Sequence, residues 1–132
     1  MSRTRFFRGL LLAAMAALLL TPAMANATAT TSHLTLTIAS KNRAEEPRTV
    51  QLRCEPTGGT HPRAAEACES LLAAGGNFDQ IGQAQTGAQC TMVLRPVVAS
   101  AHGTWQGKPV HFDKEFGNSC QATSHLGTVF DF

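Results

Sequence analysis

The chain has 132 residues, 43% of them hydrophobic and 15% charged, and its formal net charge at neutral pH is +2. Arg3, Arg5 and Arg8 supply the positive excess, since taking these three from the 11 basic residues leaves 8 against 9 acidic ones. The length indicates one domain, and a remaining charge near −1 argues against nucleic acid or another polyanion as a partner.

The amino terminus has the three parts of a secretion signal. The arginines precede an apolar run from Leu10 to Leu20, and Ala23-Met24-Ala25 forms a small-residue cleavage site. The run is shorter than the roughly 20 apolar residues that a membrane-spanning helix needs. We therefore assign residues 1–25 to a signal peptide, with a second cleavage position after Ala27, and expect a secreted protein without a membrane segment after cleavage.

The next residues predict a flexible arm followed by strands. Residues 26–32 are small and rich in threonine, which is typical of an unpacked arm, so the folded domain is predicted to span residues 33–132. Apolar residues alternate with polar ones in His33–Ala39 and again in Thr49–Cys54. This period of two predicts two half-buried strands.

The period then changes to that of a helix. Between Ala64 and Leu72 small or apolar residues recur at i, i+3, i+4, i+7 and i+8, and Gly75-Gly76 supplies a stop signal. Further strand candidates, joined by turn signals at His102-Gly103 and Gly107-Lys108, are Val93–Ala101, Thr104–Gln106 and Pro109–Phe116. Thr128–Phe132 alternates again, whereas Cys120–Leu126 is ambiguous and could hold a short helix. The sum is an α+β fold, an antiparallel sheet of about five strands with helices on one face.

Cysteines stand at four positions, Cys54, Cys68, Cys90 and Cys120. An even number of cysteines after a secretion signal predicts disulfides, and four cysteines allow three pairings that spacing alone does not resolve. We favour the sequential pairing, in which each closure would contribute roughly 3 to 4 kcal/mol on the loop-entropy model. Neither spacing resembles the close cysteine pairs of a zinc site.

The stretch Gln85–Pro96 has a distinctive order of residues. Flexible polar residues lead to Cys90, and Met92 and β-branched Val93 follow shortly after it. An exposed loop anchored at Cys90 could offer Met92 to a pocket of a partner. The alternative is that Met92 is the first core residue of a strand, a common role for this flexible apolar side chain.

Seven motifs together resemble the Streptomyces subtilisin inhibitor family. In chain order they are Cys54-Glu55-Pro56, Gly59-Thr60-His61-Pro62, Ala67-Cys68, Cys90-Thr91-Met92-Val93, Trp105-Gln106-Gly107-Lys108, Phe116-Gly117-Asn118-Ser119-Cys120 and Val129-Phe130-Asp131-Phe132. The resemblance runs from about residue 33 to residue 132. It implies a secreted proteinaceous inhibitor of serine endopeptidases, subtilisin-like ones first, that is commonly a homodimer and has five antiparallel strands with two helices on one face.

The resemblance also implies roles for individual residues. The disulfides would join the first cysteine to the second and the third to the fourth. The scissile bond would be Met92-Val93, flanked by Cys90, Thr91 and Leu94, and Asn118 would support the loop. Where well-known members of the family place proline before the reactive residue, this chain has Thr91.

Other functions find less support in the sequence. The chain has no Gly-x-Ser-x-Gly or His-Glu-x-x-His motif, so we expect neither an enzyme nor a cofactor. Its five histidines show no pair at i, i+4, and we expect no metal site; Trp105 is interpreted as a packing residue. The alternative function is that of a secreted binding module, or an inhibitor of another hydrolase class, acting through the exposed face of the sheet.

Overall fold

The computed structural model describes residues 30–84 and 89–132. The predicted signal peptide, residues 26–29 of the predicted arm and residues 85–88 of the Gln85–Pro96 stretch lie outside the described residues. The first strand begins at Ser32, whose buried hydroxyl accepts a hydrogen bond from the Gln106 backbone N–H at 2.9 Å. Regular structure therefore starts one residue before the predicted domain boundary.

The sheet has five antiparallel strands in the spatial order β3-β2-β1-β4-β5. The strands are β1 Ser32–Ser40, β2 Arg48–Cys54, β3 Gly58–Gly59, β4 Val97–Trp105 and β5 Lys108–Phe116. Both of the first two predicted strands are present within a residue of their expected bounds. The predicted fold class is confirmed.

Strand β4 continues through His102-Gly103, where a turn was predicted wrongly. Gly103 pairs with Leu34 on one side and Val110 on the other, at φ +140°. A Cβ at this position would lie 2.0 Å from the His33 carbonyl oxygen, so the glycine permits close strand approach rather than a turn. The chain reverses instead at Gln106-Gly107, where both φ angles are positive as a tight hairpin turn with the twist of its strands requires.

Two other predicted strand segments are also not strands. Residues 93–96 precede β4 and lie outside regular structure. At the end of the chain Gly127–Phe130 is a 3₁₀ helix, in which the consecutive residues Val129 and Phe130 are both buried. A strand would point these two side chains to opposite faces, whereas the tight helix lets both enter the core. The sheet reaches five strands through the two-residue β3, Gly58–Gly59, which the sequence pattern did not predict.

Two α-helices, α1 Ala64–Ala73 and α2 Ser119–Leu126, and the 3₁₀ helix Phe78–Ala84 pack with the terminal 3₁₀ helix on one face of the sheet. Helix α1 ends at the predicted stop, since the Gly76 N–H donates to the Leu71 carbonyl at 2.8 Å. The segment Phe78–Ala84 carries too short an apolar pattern to predict a helix. No helix in the described part of the chain has the length and apolar character needed to cross a membrane.

The core lies between the sheet and its helical cover. From the strands, Leu34, Leu36, Leu52 and Ala101 are at most 1% exposed, and the helical layer supplies residues that include Leu71, Leu126, Val129 and Phe130. Trp105 is also buried, which confirms its interpretation as a packing residue. Within residues 30–84 and 89–132 no helix packs on the other face of the sheet, which carries mainly polar side chains, so the two faces follow the strand period.

Two disulfides close the fold, Cys54–Cys68 and Cys90–Cys120. The first joins the end of β2 to α1, and the second joins the segment before β4 to the first turn of α2. The sequential pairing that we favoured, which the resemblance also implies, is therefore the pairing in the structure.

Candidate functional site

The most exposed apolar side chains in the described part of the molecule are consecutive residues of one loop. Met92 is 89% exposed, Val93 55% and Leu94 78%. Apolar residues of this size are usually buried, and three in succession on a projecting segment indicate a contact surface. The alternative that Met92 begins the core of a strand is wrong, because β4 begins at Val97.

The disulfide holds the amino-terminal side of this loop. Cys90 is bonded to Cys120, and their Cα atoms are 5.7 Å apart. Cys120 lies in the first turn of α2, so the loop is joined covalently to a helix that packs on the core. The covalent bond places the anchor two residues before Met92.

Asn118 holds the backbone on both sides of Met92. Its Nδ2 donates hydrogen bonds to the carbonyl oxygens of Thr91 and Val93, each at 3.0 Å. Its Oδ1 accepts a hydrogen bond from the Gln121 N–H at 2.9 Å and so caps the amino terminus of α2. The Asn118 side chain is buried, and its hydrogen bond to the start of α2 orients the Nδ2 group toward the carbonyls of the loop.

Backbone hydrogen bonds secure the carboxyl-terminal side of the loop. The Arg95 N–H donates to the Gly117 carbonyl at 2.9 Å, and the Lys41 N–H donates to the Pro96 carbonyl at 2.9 Å. Gly117 in turn donates its N–H to the Gln121 side-chain oxygen at 3.1 Å. The segment that contains Met92 is therefore tied at both ends to the same helix start.

A groove of about 710 Å³ lies beside the loop. Its walls include Thr91, Val93 and Arg95 from the loop and Glu45 and Glu46 from the connection between β1 and β2. The side chain of Met92 is not part of these walls. Residues 89–96 contain no His, Asp or Glu, so this segment supplies no general acid or base of its own.

The structure brings together all the residues that the sequence predicted for this site. Thr91, Met92, Val93 and Leu94 are exposed on the loop, while Cys90 and Asn118 support it. Sequence reasoning missed the contributions of Gly117 and Gln121. An Asn followed by Ser at the start of a helical segment is a capping signal, but Cys120–Leu126 was ambiguous and the signal was not used.

A projecting loop, a disulfide at its base and a supporting Asn on an α+β scaffold define a small domain built to present one segment. A family model described as subtilisin inhibitor-like matches residues 29–118. The chain belongs to the subtilisin inhibitor-like family. This agrees with the expectation that it is not an enzyme, since members of that family inhibit proteases rather than act as them.

Several relatives share this domain. The chain is 41% identical over 104 residues to protease inhibitor SIL-V2 of Streptomyces orinoci, covering 76% of this chain and 95% of that protein. It is 42% identical over 105 residues to plasminostreptin of Streptomyces antifibrinolyticus, covering 76% and 95%. It is 40% identical over 105 residues to the transglutaminase-activating metalloprotease inhibitor of Streptomyces mobaraensis, covering 76% and 71%.

A solved structure has the same fold. It contains sermetstatin of Streptomyces caespitosus in complex with subtilisin of Bacillus licheniformis. The match has a TM-score of 0.64 and 28% sequence identity, and it covers 77% of this chain and 99% of that chain. The family expected from the sequence motifs is therefore confirmed by the family model and by the relatives.

Proposed function

We propose that this protein inhibits secreted serine endopeptidases, subtilisin-like enzymes first, with Met92-Val93 as the scissile bond of its reactive loop. The observation that carries the proposal is the position of Met92. Its side chain is exposed, while the buried Asn118 side chain donates hydrogen bonds to the backbone carbonyls of the residues on either side of it. Family membership and the subtilisin complex of the structural relative support the class of target.

Binding follows the manner of a substrate. A protease cleft accepts a peptide backbone as an added strand and takes one side chain into its primary pocket. Here the disulfide and the Asn118 hydrogen bonds restrict the loop before it meets the enzyme. Most of the ordering entropy is thus lost during folding rather than during association, which favours affinity.

The same restraints oppose net hydrolysis. If Met92-Val93 is cut, Cys90 still links the first fragment to Cys120 in the second. Asn118 donates hydrogen bonds to the carbonyl of Thr91, on the amino-terminal side of the cut, and to that of Val93, on its carboxyl-terminal side. The new amine therefore stays near the acyl group at high effective concentration, and resynthesis competes with release. The catalytic groups belong to the protease.

Met92 sets the preference among proteases. Its long uncharged side chain suits an apolar primary pocket, whereas a trypsin-type pocket with a buried carboxylate gains no ion pair from a thioether. Thr91 precedes it without the fixed φ of a proline, so local order depends more on Asn118 than it would with a proline there.

Secretion and dimerisation belong to the same proposal. The signal-like residues 1–25 and the two disulfides both support export to an oxidising compartment. A homodimer is the state that the family resemblance implies. Light scattering of the purified protein should give twice the mass of the mature chain if this is correct.

A titration of subtilisin with the oxidised mature protein tests the proposed function. Residual activity should fall linearly to zero near one inhibitor chain per enzyme, because tight binding consumes the inhibitor stoichiometrically. Full activity at a large excess would contradict the proposal and favour a binding module that uses the open face of the sheet. If the protein inhibits another class of hydrolase but not subtilisin, it is an inhibitor of that other class.

A further inference from the structure

Met92 is the only methionine that follows the predicted signal peptide. The chain has four methionines, and Met1, Met15 and Met24 all precede both predicted cleavage positions. The mature chain therefore carries a single thioether. Because this thioether stands at the proposed reactive position, a change in its chemistry acts directly on the inhibitory loop.

The Met92 thioether is accessible to small solutes. The residue is 89% exposed, and its side chain is not part of the walls of the groove beside the loop. The hydrogen bonds from Asn118 reach the backbone carbonyls of the two neighbouring residues, not the Met92 side chain. The proposed function requires the same exposure, since this side chain has to enter a protease pocket.

The other readily oxidised side chains of the mature chain are protected or absent. All four cysteines form disulfides, so no thiolate competes for an oxidant. Trp105 is the only tryptophan and is 6% exposed, and the chain has no tyrosine. A mild oxidant therefore has one preferred target, and this target is the residue that would enter the protease.

A hydroperoxide oxidises a thioether by a two-electron reaction. The sulfur lone pair attacks one peroxide oxygen, and an S–O bond forms as the O–O bond breaks. The proton of the attacked oxygen passes to the departing oxygen, which leaves as water from hydrogen peroxide or as an alcohol from an organic hydroperoxide. Met92 becomes methionine sulfoxide, and the peroxide is reduced.

The sulfoxide opposes insertion of Met92 into an apolar pocket. Its oxygen accepts hydrogen bonds from water, and an apolar pocket offers no donor in exchange, so burial of this group is costly. The cost corresponds to a loss of affinity of about tenfold or more. The disulfide at Cys90 and the Asn118 hydrogen bonds do not involve the thioether, so the loss falls on the contact between side chain and pocket.

We propose that Met92 is an oxidation site, at which a hydroperoxide converts the inhibitor into a weakly binding form. The inference rests on the proposed function, because it needs Met92 to be the residue that enters the protease pocket. It adds a form of regulation to that function. Exposure of the free inhibitor to peroxide lowers its affinity and so leaves more protease active.

Treatment of the disulfide-bonded mature protein with hydrogen peroxide tests the inference. Catalase removes the peroxide before untreated subtilisin is added, so that only the inhibitor is modified. We expect one added oxygen atom per chain, on the peptide that contains Met92, at a rate close to that of a short methionine peptide. The inhibition constant for subtilisin should rise at least tenfold, while the thermal unfolding midpoint stays unchanged.

Two controls assign the effect to the sulfur atom. Met92→Leu lacks the thioether, so peroxide should not change its own inhibition constant. The two methionine sulfoxide reductases, one for each sulfoxide epimer, should restore the inhibition constant of the treated protein. In that reaction two thiols become a disulfide and the oxygen leaves as water, and mass analysis checks that both disulfides of the inhibitor remain.

The outcomes separate this inference from the proposed function. If the untreated protein does not inhibit subtilisin, the proposed function fails and the inference fails with it. If the untreated protein inhibits and the fully oxidised protein inhibits equally well, the inference alone is overturned. It is also overturned if peroxide weakens Met92→Leu to the same extent, if the unfolding midpoint falls, or if removal of the oxygen does not restore inhibition.

Discussion

Asn118 is the residue on which loop and scaffold meet. Its amide nitrogen serves the carbonyl groups of Thr91 and Val93, while its amide oxygen caps helix α2. Folding of the helix start and positioning of the reactive loop are thus two consequences of one side chain. Substitutions can separate these roles, because serine also caps helices but lacks the amide donor.

Asn118→Ser should keep most of the cap and lose both hydrogen bonds to the loop. At about 1 kcal/mol for each bond, we expect cleavage of the loop by subtilisin to accelerate roughly 10- to 100-fold. Asn118→Ala should accelerate cleavage similarly but cost about 1 kcal/mol more in unfolding free energy, through loss of the cap. Cleavage rates and denaturant unfolding measure the two effects, and unchanged cleavage in both variants would refute the role of Asn118.

Met92→Lys tests the primary specificity residue. A lysine should gain an ion pair in a trypsin-type pocket and lose apolar contact in a subtilisin-type pocket, so preference should shift toward trypsin by at least tenfold. Leu94→Lys is the matched control, since Leu94 is similarly exposed and lies two residues away. Inhibition constants for both proteases measure the shift. An equal effect of the two substitutions would show that Met92 has no special role.

The elements of the fold differ in how strongly the sequence determines them. Strands β1 and β2 and helix α1 follow from local periodicity and end at clear signals. The terminal 3₁₀ helix does not, because Thr128–Phe132 alternates like a strand and only core packing decides that both Val129 and Phe130 are buried. The sequence predicted a turn at Gly103, yet this glycine lies inside a strand and lets β4 approach the His33 carbonyl of β1 closely.

The end of helix α1 offers a matched test of packing. Gly75 and Gly76 have φ of +62° and +77°, so alanine is strained at both positions. A Cβ at Gly76 would meet the Trp105 ring at 2.3 Å, whereas one at Gly75 meets nothing within 4 Å. We expect Gly75→Ala to cost about 1 kcal/mol and Gly76→Ala about 2 to 4 kcal/mol in unfolding free energy. Equal costs in thermal or denaturant unfolding would contradict this packing account.

The two disulfides should have separable effects. Replacing Cys90 and Cys120 together by alanine removes the anchor of the loop, whereas replacing Cys54 and Cys68 leaves that anchor in place. Each double variant should lose about 3 to 4 kcal/mol of stability on the loop-entropy model. Below their unfolding midpoints, only the Cys90 and Cys120 variant should become an ordinary substrate of subtilisin. Durable inhibition by that variant would contradict the tethering mechanism.

The whole molecule divides into a scaffold that the sequence largely predicts and contacts that only the folded chain defines. The disulfide pairing and the fold class agree with the structure, and the residues predicted for the loop lie together in it, while their role stays a prediction. The support from Gly117 and Gln121 depends on the exact start of α2, and the pairing of His102 with His111 depends on the register of β4 with β5. Such contacts between distant segments have no local signal in one sequence.

The complete scaffold should act as a clamp that makes hydrolysis of Met92-Val93 reversible. Both fragments remain joined by Cys90–Cys120, and both sides of the bond remain attached to Asn118. A two-chain form should therefore be stable and should still inhibit. No single element produces this behaviour, because the covalent anchor, the buried amide and the packed helix must act on the same segment.

The most direct measurement is the hydrolysis equilibrium of the reactive bond, approached from both sides with a catalytic amount of subtilisin. Mass spectrometry after reduction should find one new amino terminus at Val93. Intact and nicked inhibitor should converge on the same mixture, because the clamp permits resynthesis. Complete digestion, a new terminus elsewhere, or failure of the nicked form to be resealed would contradict the account.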